Sequence, residues 1–183
     1  MTHSSNLRNQ EPALVATFVA RSRSIGYTLG CDGQIDRYGV KTIKGTREGA
    51  GFSQRVYQSL IPLLRTIRPG GVIVVERVER PEMYGVLVAV LPQVLQRFAT
   101  TGYGWLEISL SQVKQRLCNN KRATHQEVIA TIAEREAILG DKIKGGQFSR
   151  KTAYWTPALM AVALAFAAEA QCVGGNKSGK DYE

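Results

Sequence analysis

The chain has 183 residues, 44% of them hydrophobic, and a formal net charge of +9 at pH 7. This length suits one domain with a sizeable core. The excess of basic residues favours binding to a polyanion, either nucleic acid or an anionic membrane surface. No apolar run reaches the roughly 20 residues of a membrane span, and no basic amphipathic helix with an aromatic face is evident. Two histidines and three widely spaced cysteines provide little material for a zinc site or a disulfide framework, and they fit a reduced, cytoplasmic protein.

The first half of the chain predicts an antiparallel meander, a helix and a buried strand. Apolar and β-branched runs predict three strands, at 13–20, 24–29 and 35–43. Residues 53–67 repeat apolar side chains at the helical period, and Pro69-Gly70-Gly71 ends this helix. Val72 to Glu76 lacks polar alternation, as a strand buried on both faces does.

The second half predicts further helices around one more strand. These elements are a helix at 83–98, a strand at 105–110 and helices at 111–117 and 124–139. Pro92 predicts a kink in the first of these helices. Thr156 is the predicted N-cap of a last helix, with Pro157 as its first residue and an end near Gln171.

The order of these elements predicts an α/β fold, with a mixed five-stranded sheet flanked by helices on both faces. Residues 1–12 are polar, and residues 172–183 are rich in glycine and basic side chains, so both tails are predicted to be disordered. The remaining residues, 13–171, then form one domain.

Several short motifs occur in an order that is known from one enzyme family. A strand ends in Glu76, a later strand leads into Gln112-Val113-Lys114, and a run of small residues spans 158–165. With Gly26-Tyr27 on the second strand, this order resembles the RuvC-type Holliday junction resolvases, metal-dependent nucleases with an RNase H-like fold. The resemblance covers residues 13–171. It implies an RNase H-like fold and binding of branched DNA.

The resemblance also implies a homodimer, with the helix at 83–98 as the dimer face. It further implies four acids around two divalent ions, which would activate water and stabilise the leaving oxygen. Glu76 matches the second of these acids. The first acid should stand near Val19 or Ala20, but no acid occurs between Pro12 and Gly30.

The last two family acids should stand near Tyr154 and Pro157. No acid occurs between Lys142 and Ala168, and Arg150 and Lys151 lie there instead. Divalent ions need charge compensation, so one carboxylate among several cations cannot hold a pair of them.

The sequence therefore predicts a RuvC-like protein that has lost its nuclease centre, with Glu76 as the one retained acid and no bound metal. A buried carboxylate without metal needs another partner, and we expect Arg21 or Arg23 to pair with Glu76. One alternative is an active Mg²⁺-dependent nuclease with a remodelled site, for which Glu79 is the nearest spare acid. Its odd spacing from Glu76 predicts that it points to the other face of the strand. The other alternative is a scaffold in a larger assembly.

Nine basic residues are the predicted nucleic-acid contacts. They would bind phosphates, which position a protein on nucleic acid without reading its sequence. The other interpretation is a solvated basic surface, and DNA and RNA are not distinguished. Tyr154 and Trp155 could stack on bases, but packing in the core is favoured. The nine are Arg21, Arg23, Lys114, Arg116, Lys121, Arg122, His125, Arg150 and Lys151.

Overall fold

The computed structural model of the protein describes residues 14–31, 34–45, 51–144 and 152–174. The strands are β1 Leu14–Arg21, β2 Ser24–Cys31, β3 Gln34–Thr42, β4 Val72–Arg77 and β5 Gly104–Ser109. The α-helices are α1 Phe52–Leu64, α2 Val86–Ala99, α3 Leu110–Cys118, α4 His125–Arg135, α5 Ala137–Lys144 and α6 Thr152–Gly174. The predicted N-terminal tail and most of the predicted C-terminal tail lie outside the described residues.

The strands form one mixed sheet in the order β3-β2-β1-β4-β5, which confirms the predicted fold class. The first three strands pair antiparallel, whereas β4 pairs parallel with both β1 and β5. Phe18 lies opposite Val75, and Glu76 lies opposite Ile108. Because parallel strands end at the same edge of a sheet, β1, β4 and β5 bring their last residues together there.

Helices cover both faces of the sheet and create two hydrophobic cores. One core joins α1 and α2 to residues such as Phe18 and Ile73, and the other joins α3, α4 and α6 to Val19 and Val74. Neighbouring residues of β1 and β4 thus belong to different cores, as the alternation of side chains along a strand requires. Strands β1 and β4 are buried on both faces, which accounts for their mostly apolar sequences.

Helix α6 is buried around its whole circumference over residues 158–168. A helix without a polar face is stable only inside a protein or a bilayer. Within the described residues, none of the helices combines the length and the hydropathy that crossing a bilayer requires.

Two predicted helix boundaries were wrong because the backbone changes direction locally. The single helix predicted at 124–139 is divided at Glu136, whose extended backbone (φ −119°, ψ 98°) separates α4 from α5. The helix predicted to begin at Met83 instead starts as a 3₁₀ turn, Pro81–Tyr84, and Gly85 at φ 112° separates this turn from α2. Helix α2 then runs through Pro92 without ending.

The predicted start of the last helix was also wrong, because Pro157 lies inside α6 and Thr156 does not cap it. A proline there removes one backbone hydrogen bond from the second turn. The loss is tolerated because α6 packs tightly on β2 at this position. A Cβ atom at Gly26 would overlap the carbonyl group of Pro157. The glycine of the Gly26-Tyr27 pair therefore lets α6 approach the sheet.

We predict that Gly26→Ala lowers the free energy of unfolding by about 3 kcal/mol, since overpacking in a core typically costs 1–3 kcal/mol and here the clash is with backbone. Urea unfolding followed by circular dichroism measures the loss. Ser24→Ala, on the same strand and half-buried, serves as the control and should change stability by less than about 0.5 kcal/mol. Equal stability of the two variants would contradict the assigned packing of α6 on β2.

Candidate functional site

A cleft of about 560 Å³ opens where β1, β4 and β5 end. Its walls are the last residues of β1 and β4, the segment that follows β4, and the starts of α3 and α4. Its charged side chains include Arg21 from β1, Glu76 and Arg77 from β4, Arg80 from the segment after β4, and Glu79 beside it. His125, the first residue of α4, closes one side.

An ion pair between neighbouring strands forms part of the cleft wall. Arg21 Nη1 donates to Glu76 Oε2 at 2.6 Å, and Nη2 donates to Oε1 at a longer 3.5 Å. Nη1 also donates to the carbonyl oxygen of Ala20 at 2.7 Å. The expectation that an arginine of this loop pairs with Glu76 is therefore confirmed for Arg21. Arg23 is exposed in the turn between β1 and β2, and its carbonyl accepts the Ile43 amide at 3.0 Å.

The two partners differ in their exposure to water. The Glu76 side chain is 10% exposed, whereas that of Arg21 is 32% exposed. Exposed ion pairs contribute about 0–1 kcal/mol, and losing one partner of a buried pair costs about 3–5 kcal/mol. A pair in a cleft wall lies between these limits. The ion pair therefore stabilises the charge of Glu76 more than the charge of Arg21, because water can still solvate the arginine.

His125, on the other side of the cleft, interacts with several charged side chains. Burial lowers the pKa of His125, Lys114 and Arg21 lower it further through their charges, and Glu76 opposes this effect. These four side chains are therefore close enough to interact electrostatically. His125 also stands at the amino end of α4, where the helix dipole disfavours a positive charge. The imidazole is thus biased towards its neutral form.

The Gln112-Val113-Lys114 motif contains two residues with structural roles and one charged residue. Ser109 caps α3, and the Gln112 side chain accepts the Ser109 amide at 2.8 Å, so the two form a capping box. Val113 is buried in the second core. Lys114 is half-buried, and its charge lowers the pKa of His125. The first two residues therefore build the start of α3, and the third supplies a cation.

A second capping box fixes the start of α4 and thereby the position of His125. Thr124 Oγ1 accepts the Glu127 amide at 3.2 Å, and Glu127 Oε2 accepts the Thr124 amide at 2.6 Å. Hydrogen bonds from the Thr124 amide and then from its hydroxyl lower the pKa of Glu127. The motif before α4, like the one before α3, therefore sets the start of a helix at the cleft.

The remaining residues that were predicted to contact nucleic acid lie in different surroundings. Arg116 Nη1 donates to the carbonyl oxygen of Ala167 at 2.7 Å, so this guanidinium joins α3 to α6. Lys121 and Arg122 are exposed in the turn between α3 and α4. Arg150 and Lys151 lie outside the described residues.

The two aromatic residues near the start of α6 differ in their surroundings. Trp155 packs against the second core, as favoured from the sequence, whereas Tyr154 is 45% exposed. Their rings form an edge-on contact with centroids 5.4 Å apart. Tyr154 is therefore accessible to solvent, whereas Trp155 anchors the first turn of α6 to the second core.

Sequence reasoning did not single out the cations at and just after the end of β4. Arg77 is the last residue of this strand and Arg80 precedes the 3₁₀ turn, and both line the cleft. The signal in the sequence was the alternation of acids and arginines directly after a buried strand. The prediction that Glu79 points to the other face was wrong, because β4 ends at Arg77 and Glu79 lines the same cleft as Glu76.

The described residues do not fit a centre of two divalent ions. Val19, which follows the Phe18 that pairs with Val75, is 1% exposed and apolar, and Pro157 is buried against Gly26. Within the described parts of the chain, no group of three or more His, Cys, Asp or Glu side chains could hold a metal ion. Glu76 itself already neutralises Arg21. Hard divalent cations require several oxygen ligands, and the described walls of the cleft do not bring such a set together.

Comparison with solved structures shows the fold. The chain is similar to Thermus thermophilus RuvC, with 18% identity and a TM-score of 0.65 over 88% of this chain and 96% of that one. It is also similar to T. thermophilus RuvC in complex with a Holliday junction substrate, with 17% identity and a TM-score of 0.68 over 89% and 96% of the two chains. No protein-family model and no curated protein sequence matches the chain.

We predict that His125 titrates below the ordinary histidine value of 6.5, because burial and the neighbouring cations disfavour its charged form. Proton NMR of the imidazole measures this pKa, with His3→Gln used to assign the signals. Lys114→Ala should raise the pKa of His125, since it removes one of the repelling charges. Lys121→Ala removes an exposed charge from the adjacent turn and is the control. A larger increase from Lys121→Ala than from Lys114→Ala would contradict the arrangement of the cleft.

Proposed function

We propose that this protein binds branched or structured nucleic acid, DNA in the first place, without cleaving it. The observation that carries the proposal is the Arg21–Glu76 pair, in which a guanidinium accompanies the acid that the resemblance assigns to metal binding. A cleft in which Arg21, Arg77 and Arg80 outnumber the two carboxylates is suited to anions rather than to divalent cations. Lys114, which interacts electrostatically with His125, extends this positive surface.

Phosphate groups are the anions that these contacts match best. Arginine binds phosphate through two parallel N–H groups, and lysine binds it as a point charge. The capped starts of α3 and α4 at the cleft add partial positive charge. Such contacts supply affinity and orientation but little sequence readout. This supports recognition of nucleic-acid shape rather than of a base sequence.

The preference for branched DNA, the oligomeric state and the cellular location are parts of the same proposal. One of the similar solved structures is RuvC in complex with a Holliday junction substrate, which supports a branched ligand. Two exposed apolar side chains, Met83 (72%) in the 3₁₀ turn before α2 and Val86 (44%) at its first residue, support self-association through the predicted dimer face. We place the protein in the cytoplasm.

Charge balance is the physical reason to propose binding without hydrolysis. Desolvating a divalent ion beside one carboxylate that is already paired, with several cations nearby, is unfavourable by several kcal/mol. One observation favours the alternative of a nuclease with a remodelled site: Glu79 lines the same cleft as Glu76. Cleavage assays separate the two possibilities.

The first binding prediction concerns a labelled synthetic four-way junction. Gel-shift and fluorescence anisotropy should detect a complex at low salt, and the junction should remain uncut with Mg²⁺ or Mn²⁺. Metal-dependent cleavage that is abolished in Glu79→Gln would establish the remodelled nuclease instead. Absence of binding to junction, duplex and single strand alike would favour the scaffold alternative, with the basic surface directed to an acidic protein.

The second binding prediction concerns salt dependence. The double variant Lys114→Ala, Lys121→Ala should weaken junction binding, and the slope of log K against log salt should flatten by about 0.9 for each phosphate that is no longer neutralised. The weakening should be similar for unrelated sequences. A matched control removes two exposed arginines at the opposite edge of the sheet, Arg68→Ala with Arg97→Ala. If the control flattens the slope as much as the test variant, the cleft is not the binding surface.

A further inference from the structure

We infer that Glu76 is a positioning residue: it holds the Arg21 guanidinium so that the remaining N–H groups of Arg21 bind a backbone phosphate in the cleft. This inference rests on the proposed function and assigns a role to the one family acid that the chain retains. It differs from a purely structural ion pair, because the partner of the positioned arginine is the ligand.

The hydrogen bonds of Arg21 leave part of its guanidinium free to bind a ligand. This group has five N–H donors. Both hydrogens of Nη1 are used, one by Glu76 Oε2 and one by the carbonyl oxygen of Ala20. Nη2 reaches Glu76 Oε1 only at 3.5 Å. Within the described residues, the Nε hydrogen and the second hydrogen of Nη2 have no protein partner. These two donors lie along one edge of the guanidinium plane, which matches two oxygens of a phosphate.

Arg21 keeps Glu76 as its partner when an anion enters the cleft. The Glu76 side chain is 10% exposed, so departure of Arg21 would leave a carboxylate with little water to replace the broken hydrogen bonds. The bond from Nη1 to Ala20 gives the guanidinium a second fixed point on its own strand. A phosphate therefore meets an arginine whose orientation is already set, which reduces the entropic cost of binding.

Simple electrostatics predicts the opposite effect for Glu76, and this makes the inference testable. A carboxylate in an anion-binding cleft repels phosphate, so removing it should strengthen binding. Glu79 is suited to show this effect alone, because it lines the same cleft, whereas Arg21 donates to Glu76. If Glu76 positions Arg21, its neutralisation should instead weaken binding.

The experiment compares Glu76→Gln, Glu79→Gln, Arg21→Ala and the double variant Arg21→Ala, Glu76→Gln in junction binding at several salt concentrations. Glu79→Gln should bind up to about threefold more tightly than the unchanged protein, as expected when one repelling charge is removed. Glu76→Gln should bind about tenfold more weakly, as expected when one charge-assisted hydrogen bond to the ligand is removed. Its salt slope should flatten by about 0.9, because one phosphate fewer is neutralised.

Arg21→Ala should reproduce both the weaker binding and the flatter slope, and the double variant should be no weaker than Arg21→Ala alone. Circular dichroism and melting temperature verify that each variant is folded. Arg21→Lys provides a second route that leaves Glu76 intact. This variant keeps the positive charge but lacks the paired N–H donors of the guanidinium, so it should also weaken binding. In the Arg21→Lys background, the additional change Glu76→Gln should then strengthen binding.

Glu76→Gln that binds as tightly as Glu79→Gln, with an unchanged salt slope, would overturn the inference and leave the proposed function standing. Weaker binding by Glu76→Gln with an unchanged slope would also overturn it, because a general structural effect would then suffice. Failure of the unchanged protein to bind any nucleic acid would instead overturn the proposed function itself.

Discussion

A carboxylate at the end of a buried strand needs a counter-charge, and the site of this protein depends on how that need is met. Glu76 follows four apolar residues of β4, and its side chain is only 10% exposed. The parallel pairing of β1 with β4 brings Arg21 to the same edge of the sheet, where it neutralises Glu76. A site that adds further acids to Glu76 attracts divalent cations. Under the proposed function, a site that adds an arginine instead attracts anions, so this exchange of counter-charge would reverse the sign of the ligand.

Patterns of apolar residues predicted the fold well where one element buries one continuous face. The five strands, the first two helices and the core positions followed from periodicity, because burial imposes a period of 2 or 3.6 residues. Boundaries that depend on tertiary packing did not follow. Pro157 is favourable at the first turn of a helix, yet here α6 begins at Thr152, and Gly26 leaves room for the carbonyl group of Pro157 inside it. Glu136 is a good helix former and gave no sign that α4 ends there.

The candidate site was predictable where a charge requirement and strand topology acted together. Arg21 and Glu76 end neighbouring strands, and each satisfies the charge of the other. Arg77 and Arg80 were missed because the end of β4 could not be located to within one residue. Arg116 was assigned to nucleic acid, but its guanidinium bonds to Ala167 of α6. A long side chain on a short helix can turn either way, and sequence alone does not select the direction.

The uniform burial of α6 has a consequence for the order in which the protein folds. This helix follows every strand along the chain, and it covers the sheet face that carries Val19 and Val74. The first core can form as soon as β5 has been synthesised, whereas the second cannot close before residues 152–174 have emerged. Until then an apolar sheet surface stays exposed, and such a surface promotes aggregation. Synthesis of the last helix therefore sets the time at which the nascent chain becomes protected from aggregation.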